Sequence, residues 1–191
     1  MNDPEIAPFE LRAEAAGAAT LDFVSVYREH FAFVWRSLRR LGVAESALDD
    51  ATQEVFITVH RRLGEFEGRS SLKTWIFGIL RNAARHHRRT IARRREDDPV
   101  PETAADPSHG ESLDAVARAQ AIQALSAFLE GLDDTLRECF ILSELEQMTA
   151  PEVAAATGAN LHTVHSRIRT ARQLFEQMVA RRRARDPWSR P

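Results

Sequence analysis

The stretch QMTAPEVAAATGANLHTVHSRIRTARQLFEQM, residues 147–178, carries the local signals of two helices joined by a tight turn. Thr149 and Glu152 have the spacing of a capping box, in which each side chain caps a backbone N–H at the other position. Gly158 tolerates the positive φ that the end of the first helix requires. Asn160 is a favourable N-cap for the second helix. These signals predict one helix that ends at Gly158 and another that begins after Asn160.

The second of these helices has two different faces. Apolar residues recur at alternating steps of three and four and predict one buried stripe: Leu161, Val164, Ile168, Ala171, Phe175 and Met178. Polar residues form what we name the recognition face: His162, His165, Ser166 and Arg169. This arrangement is typical of a helix-turn-helix, whose second helix lies in the DNA major groove. A helical hairpin inside an all-α core is the alternative, but the matched caps, the turn glycine and the open arginines favour DNA binding.

The composition predicts an all-α protein that is large enough for two small domains. The chain has 191 residues, of which 43% are hydrophobic, and Ala, Leu, Arg and Glu dominate. Lys73 is the only lysine, and the net charge of -2 does not by itself indicate nucleic-acid binding. The charges are segregated, however, and local clusters matter more than their sum. The single cysteine, Cys139, excludes an intrachain disulfide and a cysteine-rich zinc site.

No stretch of the sequence is long and apolar enough to span a membrane, and the acidic N-terminus does not have the form of a signal peptide. We therefore expect a cytoplasmic protein without membrane insertion.

Two helices are predicted in the first third of the chain, over residues 22–41 and 46–63. Their inward faces are predicted to hold Phe23, Tyr27, Phe31, Val34, Leu38 and Leu41 in the first helix and Ala51, Val55, Val59 and Leu63 in the second. On the outer side of the second helix lies what we name the acidic ridge: Asp49, Asp50, Gln53 and Glu54. A solvated helix face and a docking surface for a basic partner both account for this ridge.

A loop over residues 64–71 precedes a third helix that begins near residue 71. Its buried stripe is predicted to hold Leu72, Trp75, Ile76, Ile79 and Ala83. Its other side carries what we name the basic strip, Lys73, Arg81, Arg85 and Arg88, with Asn82 among them. Helix-dipole complementarity does not require so many arginines, so a phosphate-binding surface is the better interpretation.

Aromatic residues near the basic strip are candidates for stacking on unpaired bases, or they belong to the core. They are Phe66, Trp75 and Phe77. The stripe position of Trp75 favours the core, whereas the polar loop around Phe66 favours stacking.

Residues 96–112 change to proline, acidic and small residues, which predicts a flexible interdomain linker. Two further helices are predicted over residues 113–129 and 134–145, and they build the core on which the helix-turn-helix rests. Their inward residues are predicted to be Val116, Ile122, Leu125 and Phe128 in the first and Leu136, Cys139, Phe140 and Leu145 in the second.

This ordered set of parts resembles the short, two-domain extracytoplasmic-function group of the sigma-70 family of bacterial RNA polymerase sigma factors. The resemblance depends on DDATQEVF at 49–56, FEGRSSLKTWIFGILRNAARHHRR at 66–89 and TVHSRIRTAR at 163–172. It implies a region 2 helical bundle over residues 21–92 and a region 4 helix-turn-helix over residues 113–180. A linker over 93–112, a disordered tail over 1–20 and a basic tail over 181–191 complete the expected organisation.

The resemblance also implies partners and residue roles. Asp49, Asp50, Gln53 and Glu54 would dock on the clamp helices of the polymerase β′ subunit. The minus-10 element would be recognised and opened, with a non-template base captured, by Phe66, Gly68, Ser70, Ser71, Lys73, Trp75, Arg81, Asn82, Arg85 and Arg88. The minus-35 element would be read by His162, Thr163, His165, Ser166, Arg167 and Arg169. The β flap and an anti-sigma factor are further expected partners, and the free protein is expected to be a monomer.

Two other classes of function account for parts of this sequence. A transcription regulator with the same terminal fold would leave the acidic ridge and the basic strip unexplained. A metal-binding or enzymatic protein would depend on His86–His87 or His162–His165, and no acidic partner lies at a useful sequence spacing from either pair. No catalytic residue, metal site or cofactor is therefore expected.

Overall fold

The structure, a computed structural model, describes residues 21–97 and 113–185. This part of the chain is helical and contains no strand, as the all-α prediction requires. Its α-helices are α1 (Phe23–Arg40), α2 (Leu48–Arg62), α3 (Leu72–Asp97), α4 (Leu113–Gly131), α5 (Asp134–Phe140), α6 (Ala150–Thr157) and α7 (Leu161–Arg185). The expected tail over 1–20, most of the expected linker and the end of the expected basic tail lie outside the described residues.

Helices α1, α2 and α3 pack on one another and form the first helical unit. Asp22 caps α1 by accepting the N–H of Ser25 at 3.0 Å, and the Ser71 hydroxyl accepts the N–H of Thr74 at 3.2 Å at the start of α3. The centre of the unit is fully buried and apolar, and it includes Val34, Leu38, Val55, Val59, Ile76, Phe77 and Leu80. Phe77 therefore belongs to the core, and the prediction that it could stack on bases is wrong.

The predicted inward face of α1 is partly wrong. Tyr27 and Phe31 are 40% and 38% exposed, whereas Val26, His30 and Phe33 are buried. The reason is that the helix turns a neighbouring stripe toward the centre, while Tyr27 and Phe31 pack laterally against Phe56 of α2. An aromatic patch thus lies on the outside of the bundle.

Helices α4 to α7 form the second unit, whose main contact joins α5 and α7. Only the C-terminal half of α4 is packed: Phe128 contacts Phe140 and Phe175, with ring centroids 5.1 and 5.2 Å away. Val116 and Ile122, predicted inward, are instead exposed because the packing does not extend to the start of this helix. The predicted helix over 134–145 is α5 followed by a π-helical turn, Ile141–Leu145.

The two units also contact each other, chiefly through α3 and α6. Arg137 on α5 shows how closely the units approach. Its buried guanidinium donates to the carbonyls of Leu129 and Leu132 at the end of α4, at 2.6 and 2.9 Å. It also lies 3.4 Å from the carbonyl oxygen of Leu41 in the first unit. The end of α4 is thereby capped and faces the end of α1.

Candidate docking and nucleic-acid surfaces

The helix-turn-helix forms as its local sequence predicts. The Glu152 carboxylate accepts the backbone N–H of Thr149 at 2.8 Å, and the capping box is complete. Gly158 ends α6 with φ of 71°, in the left-handed region that favours glycine. The side-chain oxygen of Asn160 accepts the N–H of Thr163 at 2.8 Å and caps α7. The turn therefore sets the angle at which α7 leaves α6.

The recognition face is open to solvent. His162, His165, Ser166 and Arg169 are all exposed, and the opposite stripe is anchored by the buried side chains of Val164, Ile168 and Ala171. Leu161, predicted to be part of this stripe, is 44% exposed because it lies at the first turn, beyond the packed region. A helix anchored on one side and polar on the other can present its N-terminal half to base edges in a major groove.

Arg167 and Thr163 differ from the rest of the predicted minus-35 set, because both are half-buried. Arg167 lies near the buried Cys139 and near Asp133, the exposed N-cap of α5, and it opposes the raised pKa that burial gives the Cys139 thiol. Arg167 is therefore placed to hold α7 against α5, and Thr163 receives its cap from Asn160.

All four side chains of the acidic ridge are exposed along the outer side of α2. The Glu54 carboxylate additionally lies 3.0 Å from Nε2 of His87 on α3. The ridge continues into a shallow apolar groove lined by Phe23, Tyr27, Phe31, Phe56, Ile57 and His60, with Asp49 and Gln53 at its edge. A carboxylate row beside exposed aromatic rings is suited to a protein partner that offers cations and apolar side chains.

The loop before α3 brings together an aromatic pair. Phe66 is half-buried, and its ring centroid lies 5.5 Å from that of Trp75, which is also half-buried. Gly68 has φ of 69°, which allows the loop to fold back over the start of α3. Ser70 and Ser71 lie between this glycine and the helix, and Ser71 is used as its cap. Because both rings are only half-buried, part of the surface of each ring is accessible to solvent.

The cations of the basic strip form hydrogen bonds and ion pairs with carbonyls and carboxylates of the second unit. Lys73 donates to the backbone oxygen of Glu146 at 3.0 Å and also pairs with its carboxylate. Arg81 donates to the carbonyl of Thr157 at 2.5 Å. The remaining arginines pair with carboxylates of α5, Arg85 with Glu138 and Arg88 with Asp134. Asn82, by contrast, is exposed.

Two of the three acids that pair with the strip have buried side chains. The side chains of Glu138 and Glu146 are each 5% exposed, and Glu146 also accepts Arg40 at 2.6 Å. Burial raises the pKa of the Glu138 carboxyl, while Arg85 and Arg81 beside it oppose that rise. The N–H groups that make these pairs are engaged, so a DNA phosphate would have to compete with Glu138 and Asp134 for them. The side chains of the basic strip are therefore less available for contact with DNA than those of the recognition face.

Sequence reasoning missed Glu138, Glu146 and Arg137. Each lies in a helical stretch whose apolar neighbours dominate the pattern, and each meets partners distant in sequence. The Arg85–Glu138 and Lys73–Glu146 pairs join residues separated by 53 and 73 positions. A polar residue at a position that the helical period places inward is the one signal that could have indicated them.

Comparison with known proteins assigns both units. Residues 26–95 match Sigma-70 region 2, and residues 122–175 match Sigma-70, region 4. Together the two matches span most of the described chain, in the order that the sequence analysis expects.

Curated relatives agree with this assignment over 72% to 93% of this chain. The chain is 29% identical over 161 residues to the ECF RNA polymerase sigma factor SigC of Mycobacterium tuberculosis, covering 84% of this chain and 83% of the relative. It is 28% identical over 185 residues to the RNA polymerase sigma factor CnrH of Cupriavidus metallidurans, covering 93% and 96%. It is 28% identical over 145 residues to the ECF RNA polymerase sigma-E factor of Escherichia coli K12, covering 72% and 76%.

Two solved structures share the fold. CnrH in complex with the cytosolic domain of CnrY superposes with a TM-score of 0.62 at 23% identity, covering 86% of this chain and 89% of that one. RpoE of Bartonella quintana in complex with the anti-sigma factor NepR also gives 0.62, at 24% identity, covering 82% and 98%. The chain therefore belongs to the extracytoplasmic-function group of the sigma-70 family and is a sigma factor, which directs promoter-specific initiation of transcription by RNA polymerase.

Proposed function

We propose that the acidic ridge of α2 docks this sigma factor on the clamp helices of the polymerase β′ subunit. The observation that supports this role is the continuity of four exposed polar side chains with the exposed aromatic groove beside them. Asp49 and Gln53 belong to both surfaces. The partner would then cover Tyr27 and Phe31, whose exposure is otherwise unfavourable in a folded bundle.

The minus-10 element is then recognised by the first unit. A flipped non-template base would stack on Phe66 beside Trp75 within the loop around Gly68 and Ser70. The basic strip would hold the displaced backbone, and Asn82 would contact the adjacent duplex. Capture of a base is worth about 1–3 kcal/mol per stacked ring, which offsets an unstacking cost of a few kcal/mol without a nucleotide cofactor.

The minus-35 element is read by the recognition face of α7. His165 stands where the family commonly has a lysine or arginine, so the preferred sequence of this element is expected to be particular to this chain.

The β flap would contact the same unit. Catalysis of RNA synthesis belongs to the polymerase, and this chain acts as its specificity subunit.

Engagement of both promoter elements requires the two units to separate, because the basic strip now pairs with α5, α6 and the turn at Glu146. An anti-sigma factor is a further partner that would favour a state in which promoter contacts are blocked. One structural neighbour is a complex with an anti-sigma factor, NepR, and another is a complex with the cytosolic domain of CnrY.

Reconstituted transcription tests this function. Core polymerase supplemented with the purified chain should start transcripts at specific sites on a genomic library, and mapping of the starts gives the promoter sequence. Reversing charge in the variant Asp50→Arg/Glu54→Arg should abolish both polymerase binding and transcription, while Glu176→Gln on the exposed side of α7 serves as the control. Polymerase affinity that survives the reversal would favour a plain DNA-binding regulator.

A further inference from the structure

A cluster of metal-ligating side chains lies at the junction of α2 and α3. Glu54, His86 and His87 each offer one ligand atom, and these atoms all lie within 4.8 Å of one another. No acidic residue lies at a useful sequence spacing from these histidines. The fold supplies one, because α2 packs against α3 and brings Glu54 beside them.

The geometry is close to what a transition-metal ion requires. The donors of a tetrahedral ion with bonds of about 2.0–2.2 Å lie about 3.3–3.6 Å apart. The Glu54 carboxylate and Nε2 of His87 are 3.0 Å apart, so this pair is almost at that spacing. The His86 ring packs edge-on to that of His87, with centroids 5.7 Å apart, and rotation about its side-chain bonds would bring its nitrogen to the ion.

The ligands project from a rigid base. Glu54 precedes the fully buried Val55, and His86 and His87 follow the buried Ala83 and Ala84, so the α2–α3 core fixes the backbone of all three. The arginines directly before and after the histidine pair, Arg85 and Arg88, are engaged elsewhere, because they face the second unit and pair with its carboxylates. The three ligands remain accessible, since Glu54 and His86 are exposed and His87 is half-buried.

We propose that Glu54, His86 and His87 bind one divalent transition-metal ion, of which Zn²⁺ is the best fit, and that the bound ion withdraws Glu54 from polymerase docking. Two imidazoles and one carboxylate suit Zn²⁺, Ni²⁺ or Co²⁺, whereas Mg²⁺ takes oxygen ligands. The ion replaces the negative charge of Glu54 by a net positive centre on the acidic ridge. The second half of the proposal rests on the docking role proposed above.

Calorimetric titration of the full chain with ZnCl₂, and with MgCl₂ for comparison, tests the site. We expect one equivalent of Zn²⁺ to bind, no binding of Mg²⁺, and at least about tenfold weaker Zn²⁺ binding in His86→Ala, His87→Ala and Glu54→Gln. The variant His165→Ala removes an exposed histidine from α7 and should bind as the wild type does. Wild-type affinity in all three ligand variants, or no Zn²⁺ binding by the wild type, would overturn the site.

Affinity for core polymerase, measured with and without Zn²⁺, tests the consequence. Zn²⁺ should weaken polymerase binding by the wild type at least tenfold and leave the His86→Ala variant unaffected, which also controls for effects of the ion on the polymerase. If Glu54→Gln without metal binds polymerase as the wild type does, the docking role fails and the metal site stands. If that variant is weakened but Zn²⁺ binds the wild type without changing its polymerase affinity, the inhibitory half is overturned.

Discussion

The recognition face of α7 and the basic strip of α3 both offer side chains for DNA, yet their surroundings differ. The first is exposed along one side of a helix whose other side is anchored in the core. The second is paired with carboxylates and carbonyls of the neighbouring unit, two of those carboxylates being 5% exposed. The difference teaches that, in the free protein, the surface proposed to read duplex DNA is exposed while the surface proposed to hold the opened strand is paired with the second unit.

The largest expected effect comes from removal of the acids that hold the basic strip. In the variant Glu138→Gln/Glu146→Gln, the free protein should bind a single-stranded non-template oligonucleotide more tightly, by about ten- to a hundredfold. The reason is that a hydrogen bond to a charged group contributes about 1.5–3 kcal/mol, and one such contribution competes with DNA. Fluorescence anisotropy measures the affinity, and Glu176→Gln is the matched control. Equal affinities in all three proteins would show that the strip is already available.

The turn that sets the recognition face should be the next most sensitive position. A Cβ at Gly158 would meet no atom within 4 Å, so the cost of Gly158→Ala comes from its φ of 71° alone. The left-handed conformation costs a non-glycine residue about 1–2 kcal/mol. A lower melting temperature and weaker duplex binding should follow.

Gly78 provides the control for this substitution. It lies inside α3 with open space around it, so Gly78→Ala should raise the free energy of unfolding by about 0.4–1 kcal/mol. Equal changes in the free energy of unfolding for Gly158→Ala and Gly78→Ala would contradict the claim that the left-handed backbone at Gly158 causes the loss.

Salt dependence distinguishes the two surfaces directly. For binding of a minus-35 duplex by the free protein, the slope of log K against log salt should fall in magnitude by about 0.9 in Arg169→Gln, because the variant loses one positive charge at the DNA surface. The same measurement on Arg85→Gln should return the wild-type slope, since Arg85 is paired with Glu138. A reduced slope in Arg85→Gln would place that arginine on the duplex without any opening of the protein.

The smallest expected effect is on how the free energy of unfolding depends on pH, through a histidine buried in the first unit. Burial lowers the pKa of His30 from its ordinary value of 6.5, and Lys73 nearby lowers it further, while Glu29 opposes them. The unfolded chain therefore binds more protons here, so this contribution to stability is present above pH 6.5 and is lost as the pH falls through and below that value. Urea unfolding at pH 7.5 and 5.5 should show a smaller loss in His30→Gln than in the wild type. An equal loss in both would exclude His30 as the source.

Local signals were sufficient for much of this architecture. The capping box at Thr149, the left-handed Gly158 and the cap at Asn160 each depend on residues within a few positions of one another. The acidic ridge and the recognition face followed from helical periodicity, and both are exposed as predicted.

Contacts between distant segments could not be predicted in this way. Nothing near Glu138 indicates Arg85, and nothing near Glu54 indicates His87, because each pair depends on how two helices cross. The exposure of Tyr27 and Phe31 was missed for a related reason. The stripe that α1 buries includes the polar His30 and Ser37, so apolar spacing does not indicate it, and only packing against the neighbouring helices selects it.

The separation of the two units is the most direct test of this account. Spin labels placed at two exposed positions, Ser46→Cys beside α2 and Gln177→Cys on α7, report the distance between the units, and the buried thiol of Cys139 is shielded from labelling. We predict one short distance in the free protein and with a minus-35 duplex alone, and a longer one after addition of core polymerase and a complete promoter. The same short distance in the transcribing complex would contradict the account.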